Sequence, residues 1–229
     1  MSADAVPAAL EAVRARVAAA ASACGRGAGE VTLVAVSKLQ PEALIRAAYA
    51  CGQRDFGENY VQELLRKRDA LADLDGVRWH LIGHLQSNKA RHVAPFAHLV
   101  HTVDDARLGA ELGRRALAAG RVQEVLAQVN VGGEAQKSGC APEGLPALLD
   151  ALSATPGISL RGLMTVPPHT DDPAGARPYF DALREMRDAQ GGAARLPTLS
   201  MGMTHDLEVA VAAGATVVRV GTAIFGARG

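Results

Sequence analysis

Lys38 is the side chain of this sequence whose position best suits covalent chemistry. It closes a run at residues 31–38 that is almost entirely apolar or β-branched, and Pro41 follows soon after. A continuous apolar run of this length is typical of a strand buried on both faces, as in a parallel sheet. At the end of such a strand, a lysine either extends its ammonium into solvent or has an amine pKa that burial lowers. An amine of the second kind can form a Schiff base with an aldehyde cofactor, and the residues alone leave both interpretations open.

Small and hydroxyl-bearing residues mark the ends of the last two predicted strands. Ser200-Met201-Gly202 ends the seventh strand, and Arg219-Val220-Gly221-Thr222 ends the eighth. In barrels, these are the places where backbone N–H groups bind phosphate. A turn glycine or a capping serine is the ordinary explanation of each residue taken alone. Together with Lys38, they describe a site for a phosphorylated aldehyde, and pyridoxal 5′-phosphate (PLP) is the obvious one.

The elements that must position these residues alternate between strands and helices. Eight strands are predicted, at residues 31–38, 54–57, 77–83, 98–103, 124–130, 159–166, 198–202 and 216–221. An amphipathic helix at residues 5–23 precedes them, and Asp104 is predicted to cap the helix after the fourth strand. This alternation predicts a single-domain (β/α)8 TIM barrel with an extra N-terminal helix, in which residues 1–229 form one PLP-binding domain. No G-x-G-x-x-G follows the first strand, which argues against a dinucleotide fold.

Composition argues against several other classes of protein. The 229 residues carry 24 basic and 24 acidic side chains and only 3% aromatic residues, so we expect no nucleic-acid partner. No apolar run approaches about 20 residues, and the N-terminus lacks the hydrophobic segment of a signal peptide. We therefore expect a cytoplasmic protein with no membrane partner. Cys24, Cys51 and Cys140 fit no metal-ligand pattern and are expected to be reduced thiols.

Two further groups of side chains could be mistaken for sites. His80 and His84 are four residues apart, but the segment between them runs from strand into loop, and no third ligand is spaced nearby. A packed or hydrogen-bonded pair is therefore favoured over a metal site, and the other histidines are interpreted in the same way. Lys137, in the glycine-flanked loop 132–139, is either a solvated charge or a residue that steers phosphate. The sequence has four lysines, which are Lys38, Lys67, Lys89 and Lys137.

Six segments, in order over nearly the whole chain, resemble the PLP homeostasis proteins, which are single-domain relatives of the alanine racemase N-terminal barrel. They are VSK (36–38), FGENY (56–60), WHLIGHLQSNK (79–89), GLM (162–164), LSMGM (199–203) and VRVGTAIFG (218–226). The Trp-His and Ser-Met-Gly-Met stretches are specific. The chain departs from many relatives at Leu39-Gln40, where they carry a second lysine two residues after the first, so a transfer role for that second amine is not carried over.

The resemblance implies a role for each of six residues. Lys38 is expected to form the Schiff base, and Arg219 to face the pyridine nitrogen of PLP. Asn59, at the end of the second strand, is expected to be a further contact. By analogy with the racemase barrel, the remaining three are expected to contact the phosphate, and they are Ser200, Gly221 and Thr222.

The function that the resemblance implies is the binding of PLP for buffering or delivery inside the cell, with effects on amino-acid and keto-acid pools. Apo PLP-dependent enzymes are the protein partners to be considered, and we expect a monomer without catalytic residues. The alternative is a PLP-dependent enzyme, such as an amino-acid racemase or decarboxylase. Racemase-type enzymes complete the site with a β-domain after the barrel, and this chain ends at Gly229, directly after the eighth strand, which favours the carrier. A barrel with an ordinary exposed lysine is a third interpretation, which the density of motifs disfavours.

Overall fold

Eight parallel strands form one closed barrel. The computed structural model describes residues 1–227. The strands follow one another around the barrel in sequence order, and β1 closes it by pairing in parallel with β8, with Thr32 opposite Val217 and Ala35 opposite Val220. The strands are β1 (Thr32–Val36), β2 (Asp55–Glu58), β3 (Arg78–Leu81), β4 (Leu99–Val103), β5 (Gln123–Gln128), β6 (Ile158–Met164), β7 (Thr198–Ser200) and β8 (Val217–Val220). The predicted (β/α)8 barrel is confirmed.

Helices connect the strands and cover the outside of the barrel. Several begin with a short 3-10 turn, and the final helix is only one turn long. The helices are α1 (Val6–Ala23), α2 (Glu42–Ala50), α3 (Val61–Ala70), α4 (Ala90–Val93), α5 (Ala106–Ala118), α6 (Leu145–Ala154), α7 (Arg177–Ala189), α8 (Gly192–Arg195), α9 (Leu207–Ala212) and α10 (Thr222–Phe225). Among residues 1–227, no helix has the length and apolar character needed to span a membrane.

The extra helix α1 packs over the seam where the barrel closes. Its buried side chains are spaced three and four apart, which places them on one face of the helix, and that face contacts α2, α9 and α10. Burying each Val or Leu side chain contributes roughly 1.5–3 kcal/mol relative to leaving it in water. The helix therefore stabilises the part of the barrel that joins β8 to β1. These buried residues are Val6, Leu10, Val13, Val17 and Ala21.

The predicted strand ends differ from the observed ones by up to two residues, and two predicted boundaries are wrong for reasons that local hydrogen bonds explain. β1 ends at Val36 and not at Lys38, because the carbonyl of Ser37 leaves the strand ladder and accepts from the N–H of Gln40 in a turn (3.0 Å). The cap of α5 is Asp105 and not Asp104, since the Asp105 carboxylate accepts from the backbone N–H of Leu108 (2.8 Å). Lys38 therefore lies in a turn just beyond the barrel wall.

Candidate functional site

A cavity of about 570 Å³ opens at the carboxyl-terminal end of the barrel strands. This is the end at which barrel enzymes and binding proteins build their sites, and the volume is in the usual range for a small ligand. Another cavity, of about 540 Å³, lies between α1 and the amino-terminal ends of β1 and β2, and no lysine is among its described lining residues. Five of the six predicted site residues line the first cavity, and they are Lys38, Asn59, Arg219, Gly221 and Thr222.

Lys38 is half-buried and lines the cavity from the turn that follows β1. The residue before it still bonds to the barrel, since the Ser37 N–H donates to the carbonyl of Gly57 on β2 (3.0 Å). The residue after it, Leu39, has a φ of 59°, the only positive φ of a described residue other than glycine. A leucine in this left-handed region is strained, and such residues persist only where their surroundings fix them. The turn that carries Lys38 is therefore held in a specific, unfavourable backbone conformation.

Arg219 brings a buried cation to the floor of the same cavity. Its guanidinium donates to the Ser200 hydroxyl (Nη1 to Oγ, 2.6 Å) and to the carbonyl of Thr165 (Nη2 to O, 2.9 Å). Burial lowers the pKa of Arg219 to about 10, while the nearby Asp206 carboxylate opposes this change. Because 10 is still far above neutral pH, the side chain keeps its positive charge there.

A chain of hydrogen bonds runs from Arg219 through the barrel interior to the opposite end. Ser200 Oγ lies 2.8 Å from His101 Nδ1, His101 Nε2 lies 2.9 Å from His80 Nδ1, and His80 Nε2 lies 3.0 Å from Asp55 Oδ1. A donor order that runs from Arg219 toward Asp55 gives Ser200 and each histidine one donated and one accepted hydrogen bond in this chain. Burial, followed by the nearby His80 and Arg219, lowers the pKa of His101 well below its ordinary value. The interior thus links the buried Arg219 to the buried Asp55 through Ser200 and two histidines.

This chain corrects the expected position of Ser200. The residue was expected at the cavity, in contact with phosphate, but it is fully buried inside the barrel and does not line the cavity. Its side chain points inward from the end of β7, where Arg219 and His101 occupy its hydroxyl. Besides Thr222, a second threonine that sequence reasoning missed, Thr204, lies at the cavity. Thr222 Oγ1 donates to Thr204 Oγ1 (3.2 Å), so the two threonines form one polar edge.

Gly221 gives this edge its open shape. A Cβ atom at this position would lie 3.0 Å from the carbonyl oxygen of Val36 and 3.3 Å from the Val36 Cβ. Thr222 then begins the one-turn helix α10, and the first N–H groups of a helix have no partner within it. Small residues, two hydroxyls and such N–H groups suit a phosphate.

Asn59 also lines the cavity, at the loop between β2 and α3. Its backbone packs directly on Gly83, where a Cβ atom would lie 2.2 Å from the Asn59 carbonyl oxygen. Within residues 1–227, the buried side-chain Oδ1 of Asn59 has no hydrogen-bond partner. A buried polar atom without a partner is costly, so a ligand donor at this position would be favourable.

Lys137, His80 and His84 do not line the cavity. Lys137 donates to the carbonyl of Pro167 (2.7 Å) and pairs with Glu134 (2.5 Å), and it does not line the cavity. His84 is exposed, whereas His80 is bonded inside the barrel, so the two histidines do not form a pair. A cluster of side chains of the types that bind metal ions lies at the amino-terminal end of the barrel. In it, side-chain atoms of Asp55, His80 and His98 approach within 4.8 Å of one another.

The carboxylate of Asp55 and both ring nitrogens of His80 already have hydrogen-bond partners within the protein. Arg78 forms a two-pronged ion pair with the Asp55 carboxylate, and His80 bonds to both Asp55 and His101. Burial alone would raise the pKa of Asp55, but the hydrogen bonds from His80 and Arg78 outweigh it and lower the pKa to about 2. A carboxylate held in this way contributes stability above its unfolded-state pKa of 3.8, and that contribution is lost as the pH falls through 2.

Replacing Asp55 with asparagine should therefore lower the free energy of unfolding at pH 7 by about 2 kcal/mol, from the size of the pKa shift. The difference from the unaltered protein should shrink as the pH falls from about 4 to about 2. Urea unfolding at a series of pH values measures it. Asp73→Asn is the control, because Asp73 pairs with Arg46 at the exposed surface, where ion pairs contribute little. An equal, pH-independent loss in both variants would contradict the prediction.

Comparison with known proteins agrees with the fold. Residues 9–229 match the family model described as alanine racemase, N-terminal domain. The chain is 50% identical over 217 residues to the pyridoxal phosphate homeostasis protein of Pseudomonas aeruginosa, covering 94% of this chain and 93% of that one. It is 45% identical over 221 residues to the protein of the same name from Aquifex aeolicus, covering 96% of each.

Among solved structures, PipY of Synechococcus elongatus, determined with PLP bound, superposes with a TM-score of 0.81 and 41% sequence identity. The match covers 92% of this chain and 100% of PipY. Both the identities and the coverage extend over nearly the full length of the proteins compared. The chain therefore belongs to the family of pyridoxal phosphate homeostasis proteins, which share the barrel of the alanine racemase N-terminal domain.

Proposed function

We propose that this protein binds PLP in the cavity at the carboxyl-terminal end of the barrel and holds it as a Schiff base on Lys38. The observation that carries the proposal is that an amine, a buried cation and a phosphate-sized polar edge all line one cavity. The amine of Lys38 would condense with the aldehyde of PLP, forming a C=N bond and releasing one water molecule. The PLP-bound structure of the relative PipY supports this choice of ligand.

Three contacts of the cofactor follow from the positions of the lining residues. We assign Arg219 to the pyridine nitrogen, and the phosphate to the edge formed by Gly221, Thr222 and Thr204 in place of Ser200. The amide of Asn59 is a further contact, because its Oδ1 can accept a hydrogen bond from the ligand. Residues 1–229 would then act as one PLP-binding domain.

The charge of Arg219 argues for a carrier of the cofactor and against an enzyme. PLP supplies an electron sink, which is strongest when its pyridine nitrogen is protonated. A buried guanidinium that stays charged at neutral pH opposes the arrival of that proton. The proposed activity is therefore the buffering or delivery of PLP within the cell, with apo PLP-dependent enzymes as recipients. The names of the curated relatives, which describe homeostasis proteins, are in line with this activity.

The holo-protein should not turn over amino acids at the rate of an enzyme. Racemisation needs a base on each face of the substrate carbon, and a well-placed general base typically contributes 10²–10⁴-fold. The measurement is incubation of holo-protein with L- and D-alanine, serine and other common amino acids, while chirality, decarboxylation and transamination are followed. A turnover number near the enzyme median of roughly 10 s⁻¹ would overturn the carrier in favour of an amino-acid racemase or a related enzyme.

We also propose that the protein acts in the cytoplasm as a monomer. Cys24, Cys51 and Cys140 are all free thiols, which is typical of a reducing compartment. The monomer is tested by sedimentation at micromolar concentration, where the expected mass is 23.7 kDa. A stable dimer at that concentration would contradict it.

A further inference from the structure

Two side chains of α3 bond to the backbone of the turn that carries Lys38. Lys67 and Glu63 lie one turn apart on α3 and form an ion pair (Nζ to Oε1, 2.7 Å). Lys67 is completely buried, and the Glu63 side chain is only 13% exposed. An i,i+4 pair of this kind is usually found on the solvated face of a helix, so a buried one at this position needs an explanation.

The pair binds the backbone on both sides of Lys38. Lys67 Nζ donates to the carbonyl of Ser37 (2.5 Å), the residue directly before Lys38. Glu63 Oε1 accepts from the N–H of Leu39 (2.6 Å), the residue directly after it. These bonds fix the orientation of the peptide groups that flank Lys38. They also account for the left-handed φ of Leu39, a residue that is 57% exposed and gains little from packing.

Glu58 completes the cluster from the end of β2. Its Oε1 accepts from Lys67 Nζ (2.7 Å) and from the Ser37 hydroxyl (2.6 Å), so Ser37 is held through its side chain as well as its carbonyl. Burial raises the pKa of Glu58, and the neighbouring Lys67 opposes this change. A buried ionic cluster is a poor means of stabilising a fold, because removing its charges from water costs as much as their attraction returns. What this cluster does, and apolar packing could not do, is to hold backbone donors and acceptors at fixed positions.

We propose that Lys67 and Glu63 are positioning residues, which hold the turn at residues 37–39 so that the amine of Lys38 projects into the cavity. Lys67 does not itself line the cavity, so it acts through the backbone and does not compete for the aldehyde. This inference rests on the proposed function. It predicts that the pair matters for the covalent step and not for the pocket that holds the ring and phosphate, since small displacements of a reacting group reduce reactivity strongly.

Two ligands distinguish an effect on Schiff-base formation from an effect on binding of the ring and phosphate. PLP carries the aldehyde, whereas pyridoxine 5′-phosphate has the same ring and phosphate but cannot form a Schiff base. In Glu63→Ala, the N–H of Leu39 loses its acceptor, and we expect the dissociation constant for PLP to rise by about 10-fold or more. The dissociation constant for pyridoxine 5′-phosphate should stay within about 2-fold of its original value, because its contacts remain. Glu63→Gln keeps an acceptor oxygen and should restore most of the PLP affinity.

Lys67→Met removes the other half of the pair while keeping the length of the side chain, and it should give the same selective loss. Should this variant fail to fold, because it leaves buried carboxylates unpaired, Glu63→Ala alone decides the test. The matched control is Glu111→Ala, which removes the acceptor of an i,i+4 pair with Arg115 on α5, outside the site. Amide hydrogen exchange of the apo-protein gives an independent readout, and Leu39 should exchange faster in both Glu63→Ala and Lys67→Met.

The outcomes are distinct. Folded Glu63→Ala protein that binds PLP as tightly as the original, or that loses affinity for both ligands equally, would overturn the positioning role. A selective loss of PLP affinity with rescue by Glu63→Gln would support it. Failure of the unaltered protein to form any Schiff base with PLP would instead refute the proposed function.

Discussion

Replacing Lys38 with alanine should abolish covalent binding of PLP. The visible absorbance that a Schiff base gives should disappear, and the dissociation constant for PLP should rise on the order of 100-fold, because the covalent bond is lost while the ring and phosphate contacts remain. Spectroscopic titration of the purified variant measures both quantities. The fold should persist, since Lys38 lies in a turn at the cavity and not in the packed core.

Lys89→Ala and Lys137→Ala are the matched controls for this variant. Neither side chain is among the described residues that line the cavity, and Lys137 is engaged by Glu134 and the carbonyl of Pro167. Both controls should keep the absorbance of the original protein. The assignment of Lys38 would be wrong if its alanine variant kept the absorbance or if one of the controls lost it.

Replacing Gly221 with valine should weaken PLP binding by an order of magnitude or more while the barrel still folds. A Cβ at this position would press on the carbonyl oxygen of Val36 at 3.0 Å, and a β-branched side chain would also fill the edge that we assign to the phosphate. The expected signature is a reduced preference for PLP over pyridoxal, which lacks the phosphate. Competition of the two aldehydes for the same protein measures that preference.

Gly144→Val tests whether the loss is specific to the site. Gly144 is exposed, and a Cβ built there meets no atom within 4 Å. This control should keep both the affinity for PLP and the preference over pyridoxal. Unchanged binding in a folded Gly221→Val protein would exclude Gly221 from the phosphate site.

Periodicity and strand count were sufficient to predict the fold and the end of the barrel at which the cavity opens. An apolar run buried on both faces, such as the one before Lys38, belongs to a parallel sheet, and eight such segments close a barrel. In a barrel, residues at the carboxyl ends of the strands converge, which is why Arg219 and Gly221 could be placed beside Lys38 without a structure. Strand ends were less certain, because hydrogen bonds within loops decide them, as the carbonyl of Ser37 does.

The position of Ser200 could not be predicted from the end of its strand. A change of one residue in the length of a strand decides whether a side chain points into the barrel or toward the loops. β7 ends at Ser200 itself, so the hydroxyl faces inward and meets Arg219, and Thr204 reaches the cavity instead. The pairing of His80 with His101 likewise joins two strands, and no pattern within one strand reveals it.

Lys67 was overlooked because its sequence context is that of an exposed residue. It lies among charged side chains on α3, four residues after Glu63, which is the usual pattern of a solvated helix face. Two features make it different, and both are long-range in the sequence. Lys67 is buried by the turn after β1 and by the carboxylate of Glu58. As a result, the most buried lysine of the described residues is Lys67 and not Lys38, which follows the apolar run.

The central claim is that Lys38 carries PLP in this cavity, and reduction of the holo-protein with borohydride tests it most directly. Borohydride converts the C=N bond to a stable secondary amine, so that peptide mapping by mass spectrometry identifies the lysine that was attached. We predict one pyridoxyl group per chain, on the peptide that contains Lys38. Labelling chiefly at Lys67, Lys89 or Lys137, or no labelling of PLP-saturated protein, would contradict the claim.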